Sequence, residues 1–308
     1  MQYGRIRRLL NRMGWLIYAN SVVTATATYF LTSFPPDKWL IKKVDKLRQN
    51  FLWEADDTTI GGKTQVNWKH VCSPKRYGGL GIKNIECFSQ ALRLHWESYI
   101  WEDGDRTWKG TATPCDDTYK QLFSSCTTIS LGDGSMASFW MDRWLSGEAP
   151  MVLAPAVFKL ARSKKVSVKE GTNGKWMQGL NRMNNAEQLT RFAELWNRVQ
   201  MITLSQEKDT IVWNLTANGV YSACSAYEAQ FGRIEKPRLA RVWRSKMEGK
   251  VRFFLWLMLQ NKNWTADRLQ ARGCPHNDLY KLCDQEPETT NHLALHCSLS
   301  KEIWFQFG

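Results

Sequence analysis

Residues Cys274 to Cys297 concentrate the groups in this chain most able to hold a metal. The stretch reads Cys274-Pro-His-Asn-Asp-Leu-Tyr-Lys-Leu-Cys283, passes Glu286 and Glu288, and ends His292-Leu-Ala-Leu-His296-Cys297. Zinc takes four sulfur or nitrogen donors in a tetrahedron, and a tight turn followed by a helix supplies them when the first pair is two to four residues apart. Cys283, His292 and Cys297 are spaced C-x8-H-x4-C, the last three ligands of a C-x2-C-x8-H-x4-C site whose first cysteine position is held by Tyr280. Two nearby groups are candidates for the fourth ligand. Cys274 would fold back through a turn at Pro275, whereas His296 stands four residues after His292 and shares its face if the segment is helical. The competing account is two buried thiols and a packed histidine with no metal.

The residues around this stretch carry a resemblance. Trp264-Thr-Ala-Asp-Arg-Leu-Gln-Ala-Arg-Gly273, Leu282-Cys283, Glu286-Pro-Glu-Thr289, His292-Leu293, Cys297 and Trp304 resemble the zinc-binding region that follows the polymerase in plant LINE-type (non-LTR) retrotransposon reverse transcriptases. That family has cysteine where Tyr280 stands and usually an apolar residue where Cys274 stands. The resemblance continues upstream. Gly14 to Phe30 and Ile41 to Trp53 are similar to the segment after the palm, where the polymerase grips its primer-template. Asn67-Trp68, Val71-Cys72 and Pro74-Lys75, then Asp142-Arg143-Trp144-Leu145, resemble tracts that follow it. The resemblance implies a bound zinc ion and an accessory nucleic-acid-binding fragment of a reverse transcriptase, or its degenerate remnant.

Charge points the same way. The 308 residues carry 42 Lys+Arg against 29 Asp+Glu, a net +13, which favours a polyanionic partner such as RNA or DNA read with low sequence specificity. Arg5, Arg7, Arg8 and Arg12 form one basic cluster, and Lys42, Lys43, Lys46 and Arg48 flank a second helix. These eight are the candidate phosphate contacts. Sixteen tryptophans are expected mostly in the core, with a few able to stack on bases. Eight cysteines are too sparse for a disulfide scaffold, so reduced thiols in the nucleus or cytoplasm are expected.

Other signals exclude function classes. Arg5 to Arg12 followed by an uncharged run to Pro36 sketches a signal peptide, yet Asn20, Ser21, Thr24, Thr26 and Thr28 interrupt the apolar stretch. A secreted interaction protein is the alternative it would support; no membrane contact is expected. Glu54-Ala55-Asp56-Asp57 lacks the aromatic residue that precedes a polymerase's metal-binding aspartates, and Cys115-Asp116-Asp117 is equally unsuitable. No catalytic residue is assigned, and polymerase activity would need a palm supplied in trans. Glu102-Asp103-Gly104-Asp105 lacks the remaining positions of a calcium loop. Lys75-Arg76-Tyr77-Gly78-Gly79-Leu80-Gly81 is glycine-rich without the phosphate-loop pattern, so a turn suffices.

The positioning elements follow from periodicity. A helix from Asp37 is expected to bury Leu40, Val44, Leu47 and Phe51, and Ile85 to Trp101 reads as another, with His95 packed. Ala186 to Val199 should turn Leu189, Phe192, Leu195 and Trp196 inward. Gly132-Asp133-Gly134 and Asn218-Gly219 suggest two hairpins, 129–140 and 209–221. Thr265 should cap a short helix ending at Gly273, and a last helix should carry Trp304 and Phe307. The chain is therefore expected to be mainly α with small β-hairpins (α+β), in two domains. Residues 1–170 would form a post-palm connector-like region and 171–308 a zinc-binding-like domain ending in a knuckle-like Cys/His segment.

Overall fold

The computed structural model describes residues 10–53, 64–101, 112–231 and 237–307. Arg5, Arg7, Arg8 and the acidic runs at 54–57 and 102–105 lie outside them. Twelve helices longer than a single turn and two strands are used below: α1 Arg12–Tyr18, α2 Thr24–Ser33, α3 Lys38–Trp53, α4 Ile85–Arg93, α5 His95–Ile100, α6 Asp117–Ser125, β1 Thr127–Ser130, α7 Ala186–Gln200, β2 Thr210–Trp213, α8 Ala223–Ala229, α9 Pro237–Arg244, α10 Gly249–Met258, α11 Ala266–Gln270 and α12 Ser298–Phe307. A π-helical turn, Ala19–Val23, follows α1. The mainly helical reading holds. Among the described residues no helix is long and apolar enough to cross a membrane.

The chain divides into two compact units, one of residues 1–28, 36–85 and 231–308 and the other of 29–35 and 86–230. The boundary expected near residue 170 falls inside the second unit. The Pro-bearing stretch before it is no linker, because Val157, Val166, Val168 and Trp176 are buried in one core.

In the first unit, Leu16, Leu52, Trp53, Val71, Leu80, Trp243 and Trp256 share a core. The uncharged N-terminal run is built into it: Leu16 is 1% exposed, and Asn20 donates to the Gly81 carbonyl while accepting from the Lys83 amide. The glycine-rich turn closes on itself. Gly78, Gly79, Leu80 and Gly81 spend their amides on the carbonyls of Lys75, Pro74, Val71 and Ser73, leaving none to cradle a phosphate. A Cβ at Gly79 would stand 2.0 Å from the Ser73 carbonyl oxygen, so only glycine fits there. Trp256 then donates its indole N–H to the Gly78 carbonyl at 2.7 Å.

Helix α3 is rotated from its expected setting. Leu40 and Leu47 are 41% and 63% exposed, whereas Arg48, Leu52 and Trp53 are buried. The cause is a charged group that is satisfied indoors. The Arg48 guanidinium pairs with Asp45 at 3.0 Å, donates to the Lys83 carbonyl at 2.6 Å and lies over the Trp68 ring. Burying a charge is tolerated only with such partners.

The second unit is organised around an aromatic cluster, with Phe139 in ring contact with Trp140, Trp144 and Trp176, and Trp140 edge-on to Trp176. Neither expected hairpin forms. β1 pairs antiparallel with β2 instead, Thr127 opposite Trp213 and Ser130 opposite Thr210. Asp209 explains the choice: its carboxylate accepts from the amides of Gly132, Gly134, Met136 and Ala137 at 2.8–3.1 Å, which pins the glycine turn to the start of β2. The Asn218-Gly219 turn is present, with Gly219 at φ +70° and its carbonyl accepting from Trp213. The stretch read as one helix from Ile85 breaks at Leu94 into α4 and α5, and His95 is packed as expected, stacked on Tyr99 and Tyr221.

Candidate metal centre

The turn that follows α11 closes at Gly273, whose φ of +66° suits the left-handed stop. Thr265 stands at its N-cap position, but its hydroxyl donates to Asp267 rather than accepting from the helix. The chain then forms a narrow loop that sequence periodicity did not reveal. Leu279 and Pro287 bridge antiparallel, Tyr280 donates its amide to the Glu286 carbonyl and Glu288 to that of Asp278. At its tip the amides of Cys283 and Asp284 both point back to the Tyr280 carbonyl, at 3.1 and 2.8 Å, with Asp284 at φ +51°. This is the tight turn a C-x2-C pair needs, kept with tyrosine in the first place.

The other two donors come from a second turn. Thr289 accepts from the His292 amide, and residues His292–His296 form a π-helical turn closed by the Cys297 amide on the His292 carbonyl at 2.9 Å. On an α-helix, residues five apart point about 140° away from each other. The wider turn brings Cys297 back beside His292, which is how an H-x4-C spacing reaches one ion. π-turns recur at functional sites for this kind of re-aiming.

Cys283, His292 and Cys297 consequently meet, with their donor atoms all within 4.8 Å of one another and Cys283 Sγ 3.2 Å from His292 Nε2. Tetrahedral zinc with ordinary bond lengths sets S–N and S–S edges of about 3.6 and 3.8 Å. The three residues therefore fit the ion in donor chemistry and, to about an ångström, in spacing. Among the described residues this is the only cluster of three or more such groups.

The electrostatics favour a thiolate at Cys297. Backbone N–H groups at the start of α12, Ser300 foremost and then Leu299, hold its pKa below the ordinary value, against the opposing effect of burial. Tyr280 stands with its ring edge-on to His292, 5.7 Å between centroids. Desolvation, with lesser contributions from Cys297, Glu288 and Cys283, raises its hydroxyl pKa.

Neither expected fourth ligand joins the cluster. The Cys274 amide closes the end of α11 on the Leu269 carbonyl, and its thiol sits 3.9 Å from the Arg272 carbonyl. His276 bonds the Cys274 carbonyl and pairs with Asp278, which commits the intervening chain elsewhere. His296 is exposed, because the π-turn gives the place beneath His292 to Cys297. All eight cysteines are free thiols.

Of the expected phosphate contacts, Lys42, Lys43 and Lys46 are exposed on α3, Arg12 is half-buried with its pKa lowered by that burial, and Arg48 is buried with both terminal nitrogens bonded, to Asp45 and to the Lys83 carbonyl. Arg48 is a structural residue. Lys38 and Trp39 are exposed on the same helix, Trp39 at 63%.

Comparisons with known proteins agree with this centre. Residues 221–304 match the family described as zinc-binding in reverse transcriptase. An Arabidopsis thaliana protein provisionally named a ribonuclease H protein is 22% identical over 332 aligned positions, covering 96% of this chain and 52% of the relative. The chain thus spans about half the length of that relative. An uncharacterized mitochondrial protein of the same plant is 25% identical over 150 positions, 41% of this chain and 97% of its own length. No solved structure matches. With three metal donors gathered on a knuckle turn and a π-turn inside the matched residues, the C-terminal part of this chain is a reverse-transcriptase zinc-binding region.

Proposed function

We propose that the chain is an accessory nucleic-acid-binding segment of a plant non-LTR retrotransposon reverse transcriptase, gripping RNA or single-stranded DNA with little regard to sequence. The observation that carries this is the outer face of α3. Trp39, Lys42, Lys43, Lys46, Leu47 and Asn50 are all exposed, at the i, i+3, i+4, i+7, i+8 and i+11 positions of one helix. Lys42 to Lys46 rises about 6 Å along the axis, so the ammonium groups follow a phosphate chain while the indole one turn earlier offers a base a stacking surface. Phosphate contact is sequence-independent, which accounts for the low specificity.

Zinc, when bound by Cys283, His292 and Cys297, would cross-link the Tyr280–Cys283 turn to the start of α12 and add to folding stability. On this reading polymerisation would need a palm supplied in trans; Asp116 of the described aspartate pair caps α6, accepting from the Tyr119 amide at 3.0 Å.

Fluorescence anisotropy with a single-stranded RNA, titrated against salt, tests the reading. The unmodified chain should give a log K against log salt slope of roughly −3 to −4, and Lys42→Gln/Lys43→Gln/Lys46→Gln should flatten it by about 2, at about 0.7 per phosphate lost. An unaltered slope and affinity in the triple variant would exclude α3 as the gripping face.

A further inference from the structure

A second basic face lies in the first unit, on α9. Between Pro237 and Gly273 the chain carries nine Lys+Arg against two Asp+Glu, a net +7 within 37 residues and more than half of the +13 of the whole chain. Both carboxylates of that stretch are already engaged, Glu248 by Lys250 at 3.0 Å and Asp267 by the Thr265 hydroxyl. Helix α9 presents the excess most plainly. Its Leu239, Ala240, Val242 and Trp243 are buried, and at about 100° per residue they occupy one side of the helix. Arg238, Arg241 and Arg244 fall on the other side and are exposed. Among the described residues, none of the three has an ion-pair or hydrogen-bond partner.

Helix stability does not account for this arrangement. Exposed arginines are ordinarily a solvated face, and the C-terminal carbonyls of α9 favour Arg241 and Arg244, which stand in its last turn. Arg238 has no such reason. It stands in the first turn, where free N–H groups make the helix end positive and favour an acidic residue, and α9 has none there. The neighbours add to the repulsion. Lys75 lies 5.1 Å from the centre of the Trp243 ring and Arg252 donates to the Trp243 carbonyl at 3.4 Å. Desolvation, and then the charge of Arg252, lower the Lys75 pKa. Cations crowded without counter-charge destabilise the compact state, so this grouping calls for an anion from outside the chain.

The spacing and the residue type narrow that anion. Arg238 to Arg244 rises about 9 Å along the axis in two equal steps, a row that suits successive phosphates of a strand better than one small ion. Guanidinium forks bind phosphate oxygens in pairs, whereas the lysines of α3 act as point charges. Helix α9 also lies inside residues 221–304, the part matched to the zinc-binding family. We infer that Arg238, Arg241 and Arg244 hold successive phosphates of a nucleic-acid strand, so that the zinc-binding region grips nucleic acid through its own arginine face, separately from α3. The inference rests on the nucleic-acid-binding reading above and adds a second set of contacts to it. Three lysines and three arginines make six phosphate contacts, and at about 0.7 each they give a salt slope of about −4, the steep end of the range expected above.

The test is the same anisotropy titration of the full chain with single-stranded RNA. Arg238→Gln/Arg241→Gln/Arg244→Gln should flatten the slope by about 2 and weaken binding about a hundredfold at ~0.1 M salt, with helix content checked by circular dichroism. Arg238→Lys/Arg241→Lys/Arg244→Lys keeps every charge and should keep the slope, yet bind about threefold or more weakly because the forked contacts are lost. Arg238→Gln alone separates binding from structure: it should cut affinity about fivefold at ~0.1 M salt while leaving Tm unchanged or higher. An unaltered slope in the glutamine triple variant, with Lys42→Gln/Lys43→Gln/Lys46→Gln still flattening its own, overturns the inference and leaves α3 as the gripping face. A lower Tm in Arg238→Gln with RNA affinity intact makes the arginine structural and overturns it as well. If the unmodified chain binds no RNA, the nucleic-acid reading itself has failed, a result distinguishable from both.

Discussion

Replacing Tyr280 by cysteine puts a thiol at the first position of a turn already shaped for it. The amides of Cys283 and Asp284 close on the residue 280 carbonyl, and the other three donors lie within 4.8 Å of one another. Little rearrangement is needed, so the gain should approach that of a full ligand. Four good ligands give structural zinc ~10–16 kcal/mol, or about 2.5–4 kcal/mol each. At about 1.4 kcal/mol per decade, Tyr280→Cys should tighten zinc binding by about 10²–10³-fold. With zinc in excess, a hundredfold gain corresponds to about 2.7 kcal/mol of stability and a Tm rise of about 5–10 °C. Competition against a chromophoric chelator measures the affinity and calorimetry the melting. Tyr280→Ser removes the ring from His292 without adding a strong donor, and should show neither gain. Equal zinc affinity in Tyr280→Cys and the unmodified chain would refute the reasoning, since the turn would then not aim its first residue at the other three.

Two further outcomes concern the second unit. Asp209→Asn keeps one acceptor oxygen but sets an NH2 group against two of the four amides now held, so at about 1.5–3 kcal/mol per charge-assisted bond it should cost about 3–6 kcal/mol in urea denaturation. A loss under about 1 kcal/mol would mean that the loop holds itself. Burial pushes the Asp142 carboxyl up to about 6, opposed by the Ser138 amide and aided by Glu97 and Asp209, so the folded chain takes up this proton more readily than the unfolded one. Stability should therefore fall as pH rises from about 4 to 6, by at most about 3 kcal/mol, and Asp142→Asn should flatten that segment of the profile. An unchanged slope in the variant would place the titration elsewhere.

The metal donors were legible because their chemistry is fixed by residue type and spacing. What spacing could not convey was the π-turn, which has no signature in His292-Leu-Ala-Leu-His296 and yet decides that Cys297, not His296, comes under His292. Arg48 misled for a related reason. A basic residue beside an apolar stripe normally marks a solvated face, and Asp45 three residues earlier was the one local hint of an internal partner; Trp68 and the Lys83 carbonyl come from remote chain. The hairpins failed because turn chemistry is local whereas strand partners are not. Gly132 and Gly134 were correctly read as a turn, but the carboxylate that holds them belongs to Asp209. Helix content, set by periodicity within each element, was the most readable part of the fold.

The discontinuous first unit has a consequence for how the polypeptide can be made. Its core joins Leu52, Trp53, Val71 and Leu80 to Trp243, Phe253 and Trp256, and the bond from Trp256 to Gly78 spans 178 positions. During synthesis, residues 86–230 leave the ribosome complete and can condense while the earlier apolar segments wait for α9 and α10 to appear. Closing so long a loop is slow, and the waiting segments are exposed to aggregation in the interval. The same arrangement bears on how the zinc-binding region should be handled as a reagent. A fragment confined to residues 221–304 would retain all three metal donors but leave Trp243, Phe253 and Trp256 without the surface that covers them, so holding the ion and forming a stable body are properties of different lengths of chain.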